Sequence, residues 1–209
     1  MIDTKRRGKG AAAFCAFEEG NRMKHQGTKK LETDRLILRP FTIGDAHAMY
    51  ANWAGDEDVT RFLTWPPHAS ADVSRYLLSD WTARYAQPDY YQWAIELKEM
   101  NEPIGSIAVV EIRERVDELV IGYCIGKSWW GKGIMPEAGR AVIAYLFDQV
   151  GANRISATHD ANNPNSGRVM QKIGMQYEGT HRQGGKNNQG IVDEVVYAIL
   201  QEDWKIENE

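Results

Sequence analysis

Ile125-Gly126-Lys127-Ser128-Trp129-Trp130-Gly131-Lys132-Gly133-Ile134-Met135-Pro136-Glu137-Ala138 is the stretch whose reading decides the fold. An apolar strand runs into it, glycines separated by one residue turn the chain, and a helix leaves it. Glycine lets backbone N–H groups approach an anion closely, and a helix N-terminus adds unpaired donors and a favourable dipole. Such a turn can cradle a pyrophosphate, with Lys132 either adding charge or pointing into solvent. Taken alone, it can also be no more than a tight strand-to-helix connection. Two other phosphate loops fail on spacing. A nucleoside-triphosphate loop needs G-x-x-x-x-G-K-[ST], and Gly131-Lys132-Gly133 lacks both the length and the hydroxyl. A dinucleotide fingerprint would place glycine at position 136, which is Pro136.

Downstream the apolar period is 3.6. Ala138, Ala141, Val142, Tyr145, Leu146 and Gln149 share a helical face, and Gly151 supplies the stop. Upstream the period is two. Tyr91, Trp93, Ile95 and Leu97 alternate with Gln92, Ala94 and Glu96, which predicts a half-buried strand. Short polar turns lead to strands over Ile104 to Ile112 and Leu119 to Ile125, making an antiparallel meander. Further out, Leu36–Arg39 is a strand stopped by Pro40. Thr42 caps a helix carrying Ala46, Met49, Tyr50 and Trp53. Ser70 caps another, with Val73, Tyr76, Leu77, Trp81 and Tyr85 on one stripe. Pro66 and Pro67 keep the segment between these helices irregular. On the C-terminal side come a strand over Arg154–Thr158 and a helix opened by Asn163 and Pro164. Strands near Met175–Glu178 and Ile191–Leu200 follow, joined by a loop over Gly184–Gly190. The order predicts an α+β protein with a mixed sheet.

The 209 residues suit one domain with a sizeable core. With 43% hydrophobic and 26% charged residues the balance is that of a soluble globular protein. A net charge of -4 argues against a nucleic-acid partner held by phosphate neutralisation, and no apolar run is long enough to span a membrane. Cys15 and Cys124 have no metal-ligand spacing and point to a reducing, cytoplasmic setting, with no metal expected. Residues 1–30 read as a disordered leader, an expression remnant or a misplaced start, with Met23 as another initiator. Residues 31–209 then form the single domain.

Several motifs together resemble one known family, the GCN5-related N-acetyltransferases (GNAT), in its RimJ/RimL-like branch. The branch writes G-Y, then W-G-K-G-x-x-x-E-A, seen here as Gly122-Tyr123, Trp130-Gly131-Lys132-Gly133 and Glu137-Ala138. Its opening T-x-R-L-x-L-R-P is Thr33-Asp34-Arg35-Leu36-Ile37-Leu38-Arg39-Pro40. Its N-x-x-S, K-x-G-F and E-G are Asn163-Pro164-Asn165-Ser166, Lys172-Ile173-Gly174-Met175 and Glu178-Gly179. Trp130 and Met135 depart from the general signature [QR]-x-x-G-x-[GA] in ways the branch tolerates. Val120 stands where the branch often carries Glu.

The resemblance implies a GNAT-like, mostly antiparallel sheet flanked by helices, with two strands splayed to form a coenzyme cleft. It implies an acetyltransferase moving the acetyl group of acetyl-CoA to a primary amine, either a protein N-terminus or a small molecule. Backbone groups near Tyr123 and Ile125 would pair with the pantetheine arm, and the turn Trp130, Gly131, Lys132, Gly133, Ile134 and Met135 would hold the pyrophosphate. Asn163 would contact CoA and Ser166 would stand near its sulfur. On the residues alone, Asn163 is equally an N-cap and Ser166 an ordinary first-turn residue. Glu111, Glu118 and Asp193 are open candidates for a base, each also readable as a solvated strand carboxylate. Cys124 reads as a small buried hydrophobe, and Trp65 as a wall of the acceptor cleft or a loop residue. The expected partners are the amine and, as an open assignment, a second copy of the chain. Rival readings are a non-catalytic acyl-CoA sensor, for which Val120 leaves room, and a nucleotide-binding protein.

Overall fold

The structure is a computed structural model describing residues 23–208. Strands β1 (Leu31–Glu32) and β2 (Leu36–Arg39) open the domain. The chain then turns through Ile43–Asp45 into α1 (Ala46–Met49), widens over Tyr50–Ala54, and forms the short α2 (Glu57–Thr60). Helix α3 (Ala71–Arg84) starts where Ser70 Oγ accepts the Asp72 N–H at 3.2 Å. The meander is β3 (Gln92–Leu97), β4 (Pro103–Arg113) and β5 (Glu118–Ile125). Helix α4 (Ile134–Tyr145) continues through a wide turn to Val150, where Gly151 takes a φ of 80° that ends it. Then come β6 (Arg154–Asp160), α5 (Pro164–Lys172), β7 (Gln176–Asn187), β8 (Gly190–Leu200) and α6 (Gln201–Asn208).

The eight strands form one open sheet in the order β1-β2-β3-β4-β5-β6-β8-β7, antiparallel except where β5 meets β6. One face packs on α4, α5 and α6 through Trp93, Ile95, Ile107, Val142, Phe147 and Trp204. The other packs on α1 and α3 through Phe41, Met49, Trp53, Leu78 and Ala94. Because helices cover both faces, β3 is buried on both, not half-buried as its alternation predicts. Its polar positions are satisfied internally: Gln92 Nε2 donates to Ser106 Oγ at 2.6 Å, and Glu96 accepts from Arg39 Nε at 2.7 Å.

Three further expectations change. On α3 the fully buried residues are Ser74 and Leu78; of the predicted stripe, Leu77, Trp81 and Tyr85 pack against the core while Val73 and Tyr76 are exposed. The expected Gly184–Gly190 loop is mostly strand, because a register shift between His181 and Gly185 absorbs the glycines and lets β7 run on to Asn187. Residues 23–30, expected outside the fold, pack on it. Met23 is buried in the larger core, Lys24 N–H donates to Val150 O at 2.7 Å, and Trp93 Nε1 donates to Lys29 O at 2.7 Å. Cys15 and the remainder of the expected leader lie outside the described residues. Among the described residues no helix is long and apolar enough to cross a membrane.

Where β5 joins β6, Glu118 is 4% exposed and accepts from Ser156 Oγ at 2.6 Å, Arg154 Nε at 2.9 Å and Arg113 Nη1 at 3.0 Å. Burial alone would raise its pKa; the hydrogen bonds from Ser156, Arg154 and Arg113 outweigh it and hold the carboxyl below its usual range. A depressed folded pKa stabilises above the unfolded value of about 4.3 and is lost as pH falls through the folded one. Glu118→Gln should therefore cost about 3 kcal/mol at pH 7, since it leaves guanidinium groups short of a charged partner. Thermal melts at pH 7 and pH 3 should show the gap between variant and parent narrowing in acid.

Candidate active site

Pairing between β5 and β6 lasts only three residues, Glu118–Val120 opposite Arg154–Ser156. Beyond Val120 the strands diverge: β6 stays with β8 as far as Asp160, while β5 follows β4 to Ile125. Gly126 N–H donates to Ile104 O at 2.9 Å. The alternation of an antiparallel ladder then turns the backbone groups of Tyr123 and Ile125 away from β4 and into the opening. Ile125 is already engaged there, since its carbonyl accepts the Trp130 indole N–H at 2.9 Å. Tyr123 spans the opening with its side chain. Its hydroxyl lies 3.0 Å from both the Oγ and the carbonyl oxygen of Ser166 on α5. Burial pushes the phenol's pKa upward, with the Ser166 hydrogen bond pulling partly back, so the group keeps its proton.

The glycine turn sits at the mouth of this opening. Gly131 and Gly133 have φ of 72° and 73°, the left-handed region that only glycine enters cheaply. The amides of Gly131, Lys132, Gly133, Ile134 and Met135 donate to no group among the described residues, although Trp129, Trp130 and Glu137 on either side all do. Five free donors in succession, ending on the first turn of α4, form a nest for an anion. The turn is fixed from behind. Arg35 Nη1 donates to Lys132 O at 3.1 Å, and Arg35 Nε donates to Glu137 Oε2 at 2.7 Å. Glu137 also accepts from Thr33 Oγ1 and the Arg35 amide. This brace joins the Thr33-Asp34-Arg35 run to the turn a hundred residues later.

A cavity of about 480 Å³ runs from this turn to the splayed strands, lined by Ile125, Trp130, Gly131, Gly133, Ile134 and Met135 among others. Lys132 is not part of its wall; the side chain is exposed, and only its carbonyl contributes, to Arg35. The cations on the wall are Arg168 and Lys172, which sequence reasoning missed. Their i, i+4 spacing after Ser166 puts them on one side of α5, a signal the sequence did contain.

A second cavity, of about 670 Å³, opens on the other side of β5. The two meet at Phe62, Leu63, Tyr123, Cys124, Asn163 and Ser166, which line both. Asn163 stands at the N-terminus of α5 but makes no side-chain cap, leaving its amide for other contacts. Cys124 packs against the smaller core, and burial pushes its thiol pKa up to about 12, so it stays protonated. The expected bases are elsewhere. Glu111 is bound to Arg113 at 2.8 and 2.9 Å, Asp193 accepts the Gln183 amide at 2.8 Å, and Glu118 is the buried hub of the sheet. None of the three lines either cavity. The titratable groups on the second cavity's wall include His68, His159, Asp160 and Glu194, with Trp65 beside them. His68 Nδ1 lies 2.8 Å from the buried Ser74 Oγ, and desolvation lowers its pKa, which keeps it neutral at pH 7. These four come from the loop before α3, from β6 and from β8, and no local motif links them.

Comparison with known proteins places the chain in a family and a fold. The sequence model of the family described as "Acetyltransferase (GNAT) domain" matches residues 35–176. "Uncharacterized N-acetyltransferase YoaA" of Bacillus subtilis is 34% identical over 170 residues, covering 81% of this chain and 96% of that protein. "[Ribosomal protein uS5]-alanine N-acetyltransferase" of Escherichia coli is 27% identical over 183 residues, covering 84% and 92%. Among solved structures, RimL, a ribosomal L7/L12 alpha-N-protein acetyltransferase in complex with coenzyme A, superposes with a TM-score of 0.73 at 19% identity, over 82% of this chain and 98% of that one. The chain belongs to the GNAT family of N-acetyltransferases.

Proposed function

We propose that the protein transfers the acetyl group of acetyl-CoA to a primary amine by direct attack on the thioester, with the coenzyme in the 480 Å³ cavity and the amine in the 670 Å³ one. The observation that carries this reading is the run of five free amides at Gly131–Met135 opening onto a cleft that ends at paired hydroxyls. Those amides would take the pyrophosphate, with Arg168 and Lys172 adding charge. The pantetheine would lie along β5 at Tyr123, the Ile125 carbonyl being taken by Trp130. Asn163, between both cavities, would contact the arm.

In the transfer an N–C bond forms as the C–S bond breaks. The neutral amine loses one proton and the departing thiolate gains one. Negative charge grows first on the thioester oxygen, where a fixed donor at the end of β5 stabilises it, and then on sulfur. The Tyr123–Ser166 pair supplies the proton to sulfur: the phenol is held neutral by burial, and Ser166 is 3.0 Å from it. No enzyme nucleophile is needed, in keeping with Cys124 as a partly buried, protonated thiol.

Two results test this. Gly131→Val forces a β-branched residue to a φ of 72°, while an added Cβ meets no atom within 4 Å, so the fold is spared and the turn is strained. The dissociation constant for acetyl-CoA, measured by calorimetry, should rise about ten- to a hundredfold; an unchanged value removes the turn from coenzyme binding. Ser166→Ala should lower turnover by about a hundredfold with little change in acetyl-CoA affinity, the scale of one general acid. Coenzyme binding with no free-CoA release on any amine would make the chain an acyl-CoA sensor instead.

A further inference from the structure

We propose that the acceptor is a small primary amine carrying a flat aromatic or branched apolar body, and not the N-terminal tail of a folded protein. The proposal rests on the acetyltransferase reading and concerns the second cavity, whose volume of about 670 Å³ is that of a small-molecule site.

Its wall is apolar where the fold does not require it. Val73 and Tyr76 on α3 are 43% and 83% exposed, and Val110, displaced by the register shift in β4, is 66% exposed. Such side chains scattered singly over a surface mean nothing, but these three face one cavity, together with Trp65 and Trp81. Trp65 is held in place by His68, with ring centroids 5.2 Å apart, and Trp81 by Phe41 at 5.3 Å. Aromatic rings on the wall of one cavity suit a flat apolar guest better than a flexible polyamine.

The wall also carries charge of the sign an ammonium group needs. Asp160 is buried, with its carboxylate oriented by the Asn162 amide and Asn187 Nδ2, each at 2.8 Å, and Glu194 stands on the neighbouring strand β8. The opposing cation, Lys186, is exposed. An amine would thus be drawn toward the β6–β8 side, next to the junction at Asn163 and Ser166, with its body against the α3 side.

Finally, the two rims are tied together. Asn188, at the tip of the β7–β8 hairpin, donates through its N–H to Leu63 O at 2.9 Å. Its Nδ2 donates to Thr60 O at 2.7 Å and Trp65 O at 2.9 Å. Residues on each side of this strap, Phe62 to Trp65 and Gly185 to Asn187, line the cavity. On the β7–β8 side a polypeptide tail continuing into a folded body would have to pass or open the strap, and a small amine would not.

The test is kcat/KM, from free-CoA release, for phenethylamine and tryptamine against methylamine, putrescine and hexapeptides beginning with Ala or Ser. The arylalkylamines should lead by about tenfold or more, the scale of a few buried carbons. Trp65→Ala should cut the phenethylamine-to-methylamine ratio by about tenfold, with calorimetric acetyl-CoA affinity retained as proof of folding. Asn188→Ala, which removes two of the three strap bonds, should raise the peptide-to-phenethylamine ratio. Peptides or putrescine at or above the arylalkylamines, or a Trp65→Ala loss equal for every amine, overturns the proposal while leaving acetyl transfer intact. Calorimetric binding of phenethylamine to the CoA complex without turnover does the reverse: it keeps the cavity's ligand class and sinks the transfer chemistry. No binding of phenethylamine together with no turnover of any amine overturns both.

Discussion

One buried carboxylate decides where this sheet holds together and where it opens. Glu118 ties Arg113 of β4 to Arg154 and Ser156 of β6, and Arg154 extends the tie to Glu178 of β7. The charge would be expensive to bury alone, and it is tolerated because each oxygen has a charged or hydroxyl donor. The parallel pairing next to it ends two residues on, at Val120. With one end of the β5–β6 seam locked and the other free, divergence of the strands becomes a fixed wedge and not a fluctuating one. The opening between the strands and the hydroxyl pair at its apex both inherit their geometry from that wedge.

The wedge sorts chemistry by side. Toward α4 and α5 lie free amides, Arg168 and Lys172, an environment for phosphate. Toward α3 and the β7–β8 hairpin lie aromatic rings and carboxylates, an environment for an organic cation. Tyr123 lines both cavities, and its hydroxyl bond to Ser166 bridges β5 and α5 where the two cavities meet. The Arg35–Glu137 brace does comparable work for the turn, holding its carbonyl side so that its amides face outward. That contact explains physically why a Thr-x-Arg run near the start accompanies a glycine turn with a following Glu.

Much of this was legible in the sequence, and what was legible was local. The meander, the turn and the helix after it show as changes of period within a few residues, and the free amides follow from glycine followed by a helix start. The family's motifs added the splay, which no period reveals. What failed depended on tertiary contacts. The alternation of β3 predicted one buried face because nothing local announces that helices will cover both. The α3 stripe held for Leu77, Trp81 and Tyr85, which pack on the smaller core, and failed for Val73 and Tyr76, which line the second cavity instead. For Lys132 the sequence left open whether the side chain adds charge or points into solvent; it is exposed, and the cations on the cavity wall are Arg168 and Lys172 of α5. His68, Asp160 and Glu194 converge from three distant segments, and each is unremarkable in its own surroundings.

The residues just ahead of β1 carry a practical consequence for gene boundaries. A polypeptide begun at Leu31 would leave the Trp93 indole without its carbonyl acceptor and the Met23 pocket unfilled, uncovering apolar surface along the rim of the larger core. One begun at Met23 would keep both. Its new ammonium terminus would fall where the Met23 amide now reaches Asp117 Oδ1 at 3.4 Å, replacing a long amide–carboxylate hydrogen bond with an ion pair.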